Sequence, residues 1–421
     1  MPKLSRLKSA LVGSAGIALT ALAPMVSAQS LPVECPGYER PKTQLLGERA
    51  GKKLQKAFEA YNQDLVDEAI NLLYEIEAKE PFDRASVDKF LGQILAGQDG
   101  KQKEALDYLR RSVQTKVLND GDHASIMKAV GDLSLNDDNS KDAIMWYQRW
   151  MDFTCKEDPQ VYMRMAKAYL DLKQYKNVIG PIDNAIRLFK EPKVNAYRIK
   201  ISAHYEDKDM PNTIKTAETA LQVFPTEKSF WRQLGMFYLV EERYSEALAT
   251  FELAYKQGYL TKKNEINVLS QLYSTQGVPI KAAEFQEKYL KSGLLEKDEQ
   301  TLSSLANLYN RAREFKKAAS YYAQAAVINN NPEYYQKQGE MLLTAEEYKR
   351  AIPALEKALA YNTDKEGRVN YSLMEANFYS NNFKEAYKYV QAAKKDNSIR
   401  RNALAWEPYI KEKAKNRGIR L

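Results

Sequence analysis

The sequence predicts an all-α protein, a right-handed superhelical solenoid of about ten helical hairpins. Three observations lead to this prediction. Residues 231–254, WRQLGMFYLVEERYSEALATFELA, contain two apolar faces with helical spacing, separated by a short polar break. The same arrangement recurs along the chain about every 34–36 residues. Stretches that alternate apolar and polar residues, as half-buried β-strands do, are absent.

The chain begins with the features of a secretory signal peptide, which we assign to residues 1–28. Residues 1–9 are basic and contain no acid, and an uncharged apolar run of about 14 residues follows. That run is shorter than the roughly 20 residues that span a bilayer as a helix. A small-residue site then predicts cleavage between Ala28 and Gln29 and export of the remaining chain. The alternative is an uncleaved membrane anchor.

Residues 29–49 form a lead-in that contains Cys35, and the second cysteine of the chain is Cys155. In an oxidising compartment two cysteines often pair, and this bridge would close a loop of about 120 residues. The chain-entropy model gives such a loop about 4–5 kcal/mol of stabilisation. Two free thiols are the alternative.

The repeats occupy residues 50–395, with no Gly/Ser-rich or Pro-rich linker to divide them. A small residue marks the second helix of each copy, because interdigitating helices need small side chains opposite large ones. Glycine at the matching point of a first helix, as at Gly235, costs about 1 kcal/mol relative to alanine and predicts a close helix contact. The ten second-helix positions are Ala69, Ala105, Ala143, Val178, Thr213, Ala247, Ala282, Ala318, Ala351 and Ala386.

Residues 396–421 form the predicted C-terminal capping helix and tail, and they are basic. The whole chain carries a formal charge of +8, and loss of residues 1–28 leaves +5. The excess in the tail predicts either a docking patch for an acidic partner or membrane surface, or a solvated capping helix. We favour the capping helix. Nucleic acid is not an expected partner of an exported protein.

The repeated pattern W-x2-L-G-x2-Y…A-x3-F…P at this period resembles the tetratricopeptide repeat (TPR) family. The resemblance implies a superhelix whose concave face, lined by the first helices, binds segments of partner proteins. The lead-in CPGYERPKTQLLGERAGKKLQKAFEAY (35–61), together with the signal peptide, resembles periplasmic TPR proteins that accompany TonB/ExbB/ExbD systems. That resemblance implies a periplasmic accessory scaffold that contacts a transporter or transducer.

Reactive groups do not converge anywhere in the sequence, so we expect no catalysis, no metal and no cofactor. The two histidines, His123 and His204, fall in first-helix segments, where packed or surface histidines are the rule. Neither cysteine has the neighbours of a zinc site. Phosphate-binding and dinucleotide-binding glycine loops are also absent.

The predicted binding groove is lined by first-helix positions that point away from the packing residues. An amide both donates and accepts, so a ladder of amides could hold an extended peptide backbone; the alternative is that these groups are merely solvated. An apolar strip with methionine is also an interface composition. The candidate residues are Met236, Leu239, Asn267, Gln271, Ser303, Asn307, Asn310, Arg311 and Gln336.

The sequence therefore predicts an adaptor for protein or peptide partners, with no preference for an oligomeric state. Two other roles remain open: an assembly factor for pili, secretion or outer-membrane complexes, and a holdase-type chaperone for unfolded exported chains.

Overall fold

A computed structural model describes residues 32–421. That range contains 21 α-helices and no β-strand, which confirms the all-α repeat fold. The predicted signal peptide and its cleavage site between Ala28 and Gln29 lie outside the described residues. Among the helices of residues 32–421, none combines the length and the apolar character that crossing a bilayer requires.

The helices follow one another with short connections. In chain order they are α1 (Glu48–Asn62), α2 (Val66–Tyr74), α3 (Pro81–Ala96), α4 (Gln102–Ser112), α5 (Asp120–Asn136), α6 (Ser140–Thr154), α7 (Pro159–Asp171), α8 (Tyr175–Leu188), α9 (Val194–Glu206), α10 (Met210–Val223), α11 (Lys228–Val240), α12 (Tyr244–Lys256), α13 (Lys263–Thr275), α14 (Pro279–Lys291), α15 (Glu299–Arg311), α16 (Phe315–Asn329), α17 (Pro332–Thr344), α18 (Tyr348–Ala360), α19 (Glu366–Tyr379), α20 (Phe383–Ala393) and α21 (Arg400–Asn416).

The chain divides into two compact units, and the division falls inside α8. Unit 1 holds α1–α7 with Asp183–Leu188, and unit 2 holds Tyr175–Ile182 with α9–α21. The array over residues 50–395 that the sequence predicts stays a prediction. The division lies next to Gly180-Pro181 inside a helix, where the proline ring removes a backbone donor, rather than in a linker that composition could reveal.

Within each unit, every helix packs against the next one along the chain. In unit 1 this sequence runs from α1 to α7, and in unit 2 from α9 to α21. Some first helices also contact each other directly, as α1 and α3, α5 and α7, and α17 and α19 do. Each unit is therefore a linear stack of hairpins without a central core.

The small residue of the second helix is fully buried in every repeat. Side chains at this position have no solvent exposure from the first copy to the last: Ala69, Ala105, Ala143, Val178, Thr213, Ala247, Ala282, Ala318, Ala351 and Ala386. The periodic signal in the sequence therefore marks one recurring packing point in the structure.

The glycine of the first helix makes room for a large side chain of the second. A Cβ atom added to Gly235 would lie 2.6 Å from Cε2 of Phe251, closer than carbon atoms can approach. The ring of Phe251 fills this space and is almost fully buried. The same contact occurs at the pairs Gly92 and Leu109, Gly131 and Tyr147, and Gly339 and Leu355.

An extended segment precedes α1, and we call residues 32–47 the strap. The structure joins Cys35 of the strap to Cys155, the residue that follows α6, in a disulfide. Beside it the Glu34 amide donates to the Thr154 carbonyl at 2.8 Å. Farther along, the Tyr38 hydroxyl donates to Asp120 Oδ1 at 2.7 Å. The strap is therefore fixed to the third hairpin of unit 1 by covalent and polar contacts.

Candidate functional site

One recurring position on the first helices of unit 2 is exposed, and we call its residues the exposed row: Met236, Gln271 and Asn307. Each follows directly after a buried packing residue, namely Gly235, Ser270 or Ala306. Successive residues of a helix differ in direction by about 100°, so a packing residue that faces the second helix leaves the next one outside. Three successive hairpins thus present a thioether and two amides at equivalent places.

Asn267 and Asn310 lie on the same helices as the exposed row. Asn267 is exposed on α13, and Asn310 is half-buried on α15. Arg311, at the end of α15, donates to the Ser274 carbonyl of α13 at 3.1 Å, so its guanidinium connects two first helices. Amide groups are accessible on both α13 and α15 as a result.

Ser303 and Gln336 do not line an open groove, which corrects the sequence-based assignment. Ser303 is buried, and its hydroxyl donates to the Gln300 carbonyl at 3.1 Å within the same helix. Gln336 is only 4% exposed, and its Nε2 donates to Glu340 Oε1 at 2.8 Å. This position is therefore buried in α15 and α17, although the equivalent Asn267 on α13 is exposed.

The exposed Asn307 also makes a hydrogen bond inside its own hairpin. Its Oδ1 accepts a hydrogen bond from the hydroxyl of Tyr322 on α16, and the Tyr322 side chain is almost fully buried. Burial, with nearby acidic groups, raises the pKa of Tyr322 to about 12. A change of Asn307 therefore disturbs packing inside the hairpin as well as the surface, unlike a change of Asn267 or Gln271.

An apolar strip continues the surface on α9 and α11. Met236 and Val240 are 46% and 58% exposed, and Leu239 between them is half-buried. Tyr205 of α9 is exposed, with its ring centroid 5.5 Å from that of Phe237. The sequence pattern identified Met236 and Leu239 but missed Val240 and Tyr205. Val240 lies one helical turn after Met236, and Tyr205 stands 35 residues before Val240, so a search for apolar residues at this turn of each repeat would have found both.

Ion pairs join consecutive first helices, and the sequence analysis missed them. In unit 2, Nη1 of Arg232 on α11 lies 2.9 Å from Oε1 of Glu265 on α13. Likewise Nε of Arg368 on α19 lies 2.9 Å from Oε1 of Glu340 on α17. In unit 1, Lys89 of α3 lies 2.7 Å from Asp122 of α5. Oppositely charged residues about one repeat apart in the sequence, both on first helices, would have predicted these ion pairs.

The Arg232–Glu265 pair shows how strongly one of these carboxylates is held. Burial acts to raise the pKa of Glu265, but hydrogen bonds from Arg232 and from the Lys262 and Thr261 amides outweigh it and lower that pKa. The carboxylate stays charged and links α11 to α13.

The histidines do not form a reactive constellation. His123 is buried, and burial together with the nearby charge of Lys116 lowers its pKa, which favours the neutral imidazole. His204 Nδ1 lies 3.6 Å from Asp209 Oδ2. Across residues 32–421, no group of three or more His, Cys, Asp and Glu side chains is arranged to hold a metal ion.

The basic tail is partly neutralised. Lys394 and Lys411 lie 2.6 and 2.7 Å from Glu407, and hydrogen bonds from both lower the pKa of Glu407 to about 2. Lys413 and Lys415 of α21 are exposed and have no carboxylate partner in the described part of the chain. These lysines remain available for a solvated cap or for an acidic surface.

The comparisons with known proteins concern the fold alone. No family model matches the chain, and no curated protein matches it. Among solved structures it is similar to a tetratricopeptide repeat protein from Parabacteroides merdae, with 15% identity and a TM-score of 0.36 over 62% of this chain and 99% of that one. It is also similar to YrrB, described as a TPR protein with an unusual peptide-binding site, with 18% identity and a TM-score of 0.34 over 48% and 97% of the two chains. The TPR2AB domain of yeast Sti1, in a complex with pHSP90, gives 16% identity and a TM-score of 0.33 over 64% and 99%.

Proposed function

We propose that this chain is a non-catalytic scaffold that binds segments of other proteins on the first helices of unit 2. The observation that carries the proposal is the exposed row, in which Met236, Gln271 and Asn307 occupy equivalent places on three successive hairpins. Because an exposed side chain recurs once in each of these hairpins, the surface suits an extended ligand with regularly spaced groups, such as a peptide backbone.

The two parts of this surface suit the two parts of a peptide. Gln271 and Asn267 offer amide donors and acceptors to the backbone, and a glutamine or asparagine side chain can use both at once. Met236 and Val240 offer a flexible apolar surface to side chains. We therefore expect a short segment with one or two apolar residues as the ligand.

We further propose that the scaffold works in the periplasm. The signal-peptide pattern of residues 1–28 and the disulfide between Cys35 and Cys155 support export, because disulfides persist in oxidising compartments. The resemblance of residues 35–61 to TPR proteins that accompany TonB/ExbB/ExbD systems makes a component of such a system the partner we would look for first.

The test is photo-crosslinking in cells from a crosslinking residue at position 271. Gln271 is preferred to Asn307, whose side chain also holds Tyr322. The control is the same residue at Glu284, an exposed position on α14 in the same hairpin. We expect one dominant crosslinked protein from position 271 and none from position 284. Equal labelling from the two positions would contradict the proposal.

A chaperone-like role is the second candidate, and the exposed apolar strip favours it. Such a protein would yield many crosslinked exported proteins from position 271 and would suppress aggregation of a model substrate. Met236→Gln with Val240→Gln should then abolish suppression without changing the melting temperature, because both side chains are exposed. The dedicated adaptor would show no suppression at all.

A further inference from the structure

Unit 1 contains a basic groove of its own. It has a volume of about 760 Å³ and lies among the ends of α4 and α6, the loop after α4, and α5. Four of the side chains that line it are cationic: Arg110, Arg111, Lys116 and Arg149. Its apolar walls are Val113, Met127, Trp146 and Phe153.

Two of these four cations, Lys116 and Arg149, have no carboxylate partner in the described part of the chain, whereas the other two do. Arg110 pairs with Asp142, and Arg111 lies 2.8 Å from Asp88. Lys116 and Arg149 are exposed, and neither has a carboxylate partner anywhere in residues 32–421. Both lie over aromatic rings instead, Lys116 at 4.5 Å from the Tyr38 centroid and Arg149 at 4.8 Å from the Trp146 centroid. Aromatic faces place these charges without cancelling them.

Two buried polar side chains of the same groove are also left without partners. His123 is 3% exposed and Trp146 is 6% exposed. Neither His123 Nδ1 nor Trp146 Nε1 makes a hydrogen bond within the described chain. An unpaired buried polar group costs roughly 1–3 kcal/mol, so native structures seldom keep one without a purpose. Trp146 Nε1 can only donate, which calls for an acceptor.

The chemistry of the groove selects a carboxylate with an apolar neighbour. An unpaired lysine, an unpaired arginine and an indole donor suit a planar anion, and arginine binds carboxylates through two parallel hydrogen bonds. The apolar surface formed by Val113, Met127 and Phe153 would not contact a free inorganic ion. It can instead pack against an aliphatic or aromatic side chain of a ligand. The groove is open to solvent.

We propose that this groove binds an acidic segment of a partner protein, with Arg149 and Lys116 holding its carboxylate and Met127 and Phe153 holding an adjacent apolar side chain. The site lies in unit 1 and does not depend on the first-helix surface of unit 2. The buried Trp146 Nε1, which has no hydrogen-bond partner in the described chain, distinguishes it from an ordinary basic patch.

The experiment pans a random nonapeptide library over the full oxidised chain. Three variants are compared with the parent: Lys116→Glu with Arg149→Glu, Trp146→Phe, and the control Lys141→Glu, an exposed cation on the same helix as Arg149. Circular dichroism and melting temperature verify that each variant folds. Affinity of the most enriched peptide is then measured by fluorescence anisotropy.

We expect enriched peptides to carry Asp or Glu beside an aliphatic or aromatic residue. The double charge reversal should weaken their binding by about tenfold or more, since two charge-assisted contacts are replaced by repulsion. Trp146→Phe keeps the ring and should weaken binding several-fold, whereas Lys141→Glu should change it by less than about twofold.

Three results would overturn the inference: no enrichment of acidic residues, equal binding by the charge-reversal variant, or displacement of the peptide by inorganic phosphate at a comparable concentration. The last result would mean that the groove binds free oxyanions. Loss of crosslinking from position 271 would leave this test unaffected, so the two proposals fail separately.

Discussion

Glu287 of α14 is surrounded by donors from three side chains. Lys291 lies 2.6 Å from its carboxylate, and the hydroxyl of Tyr309 donates to it. Tyr321 stacks on Tyr309 with ring centroids 5.6 Å apart and also bonds to the carboxylate. Burial acts to raise the pKa of Glu287, but these hydrogen bonds outweigh it and lower that pKa to about 2.

This cluster gives unit 2 a pH-dependent stability. The folded-state pKa of Glu287 lies below its unfolded value of about 4.5, so its contribution is complete above that value and is lost as pH falls towards about 2. Glu287→Gln should lower the free energy of unfolding by about 1–3 kcal/mol near neutral pH, because the buried Tyr309 hydroxyl loses a charged acceptor. Thermal melts at several pH values provide the measurement.

The difference between variant and parent should shrink steadily as the pH drops through this window. Glu412→Gln, an exposed carboxylate on α21 of the same unit, is the control. A Glu287→Gln deficit that stays constant down to about pH 2 would show that the carboxylate charge has no part in it.

At the scale of the helical hairpin, the backbone conformation of the turn recurs in every copy, as the buried small residue does. Every turn between first and second helix contains one residue with positive φ, and these residues are Asp64, Gly100, Asp138, Lys173, Lys208, Glu242, Gly277, Arg313, Glu346 and Asn381. Only two of the ten are glycine. The left-handed conformation costs a residue with a Cβ about 1–2 kcal/mol, so most turns of this chain hold backbone strain.

The strain predicts an unusual stabilising change. Glu242→Gly, at φ 56° between α11 and α12, should raise the free energy of unfolding by about 0.5–1 kcal/mol, because glycine adopts positive φ without a steric penalty. Gly277→Ala is the reverse change at φ 78°, where an added Cβ meets no atom within 4 Å, so only the backbone conformation is tested.

Gly277→Ala should therefore destabilise by about 1 kcal/mol, and denaturant melts of both variants provide the comparison. A Glu242→Gly variant that is less stable than the parent would mean that the flexibility of glycine in the unfolded chain outweighs the relief of strain.

The hairpin is also where sequence-based reasoning succeeded and where it stopped. The buried second-helix positions and the close approach at Gly235 follow from side-chain size, which the sequence states directly. The burial of Ser303 and Gln336 does not, since the equivalent Asn267 is exposed and only the packing of neighbouring helices separates them. The positive φ angles at Lys173 and Lys208 could not be predicted from the sequence either, because lysine does not favour that conformation.

At the scale of the whole molecule, the two units differ in how they are fastened. In unit 1 the strap is bonded through Cys35 to the end of α6, 120 residues away. In unit 2 the described helices pack on the next helix along the chain, and α21 also contacts α19 through Trp406. The division inside α8 could not be predicted, since no change of composition accompanies it.

Reduction of the disulfide should therefore act on unit 1. The chain-entropy model predicts a loss of about 4–5 kcal/mol for a loop of this length. Trp146 and Trp150 of α6 lie in the adjoining core, so tryptophan fluorescence during denaturant unfolding, with and without reductant, reports the change. The double variant Cys35→Ser with Cys155→Ser should match the reduced parent and ignore reductant. Identical unfolding of the oxidised and reduced protein would contradict the prediction.

The ion pairs between consecutive first helices have a consequence for the ancestry of the array. Arg232 finds its partner because the following hairpin carries Glu265 at the right place. A tandem duplication of the hairpin α11–α12 would put a copy of Phe230 there, since Phe230 stands 35 residues before Glu265, and the arginine would meet an aromatic ring. Copies of this chain are thus not interchangeable modules. Each has become specific to its neighbour, and gain or loss of one copy would require compensating changes in the next.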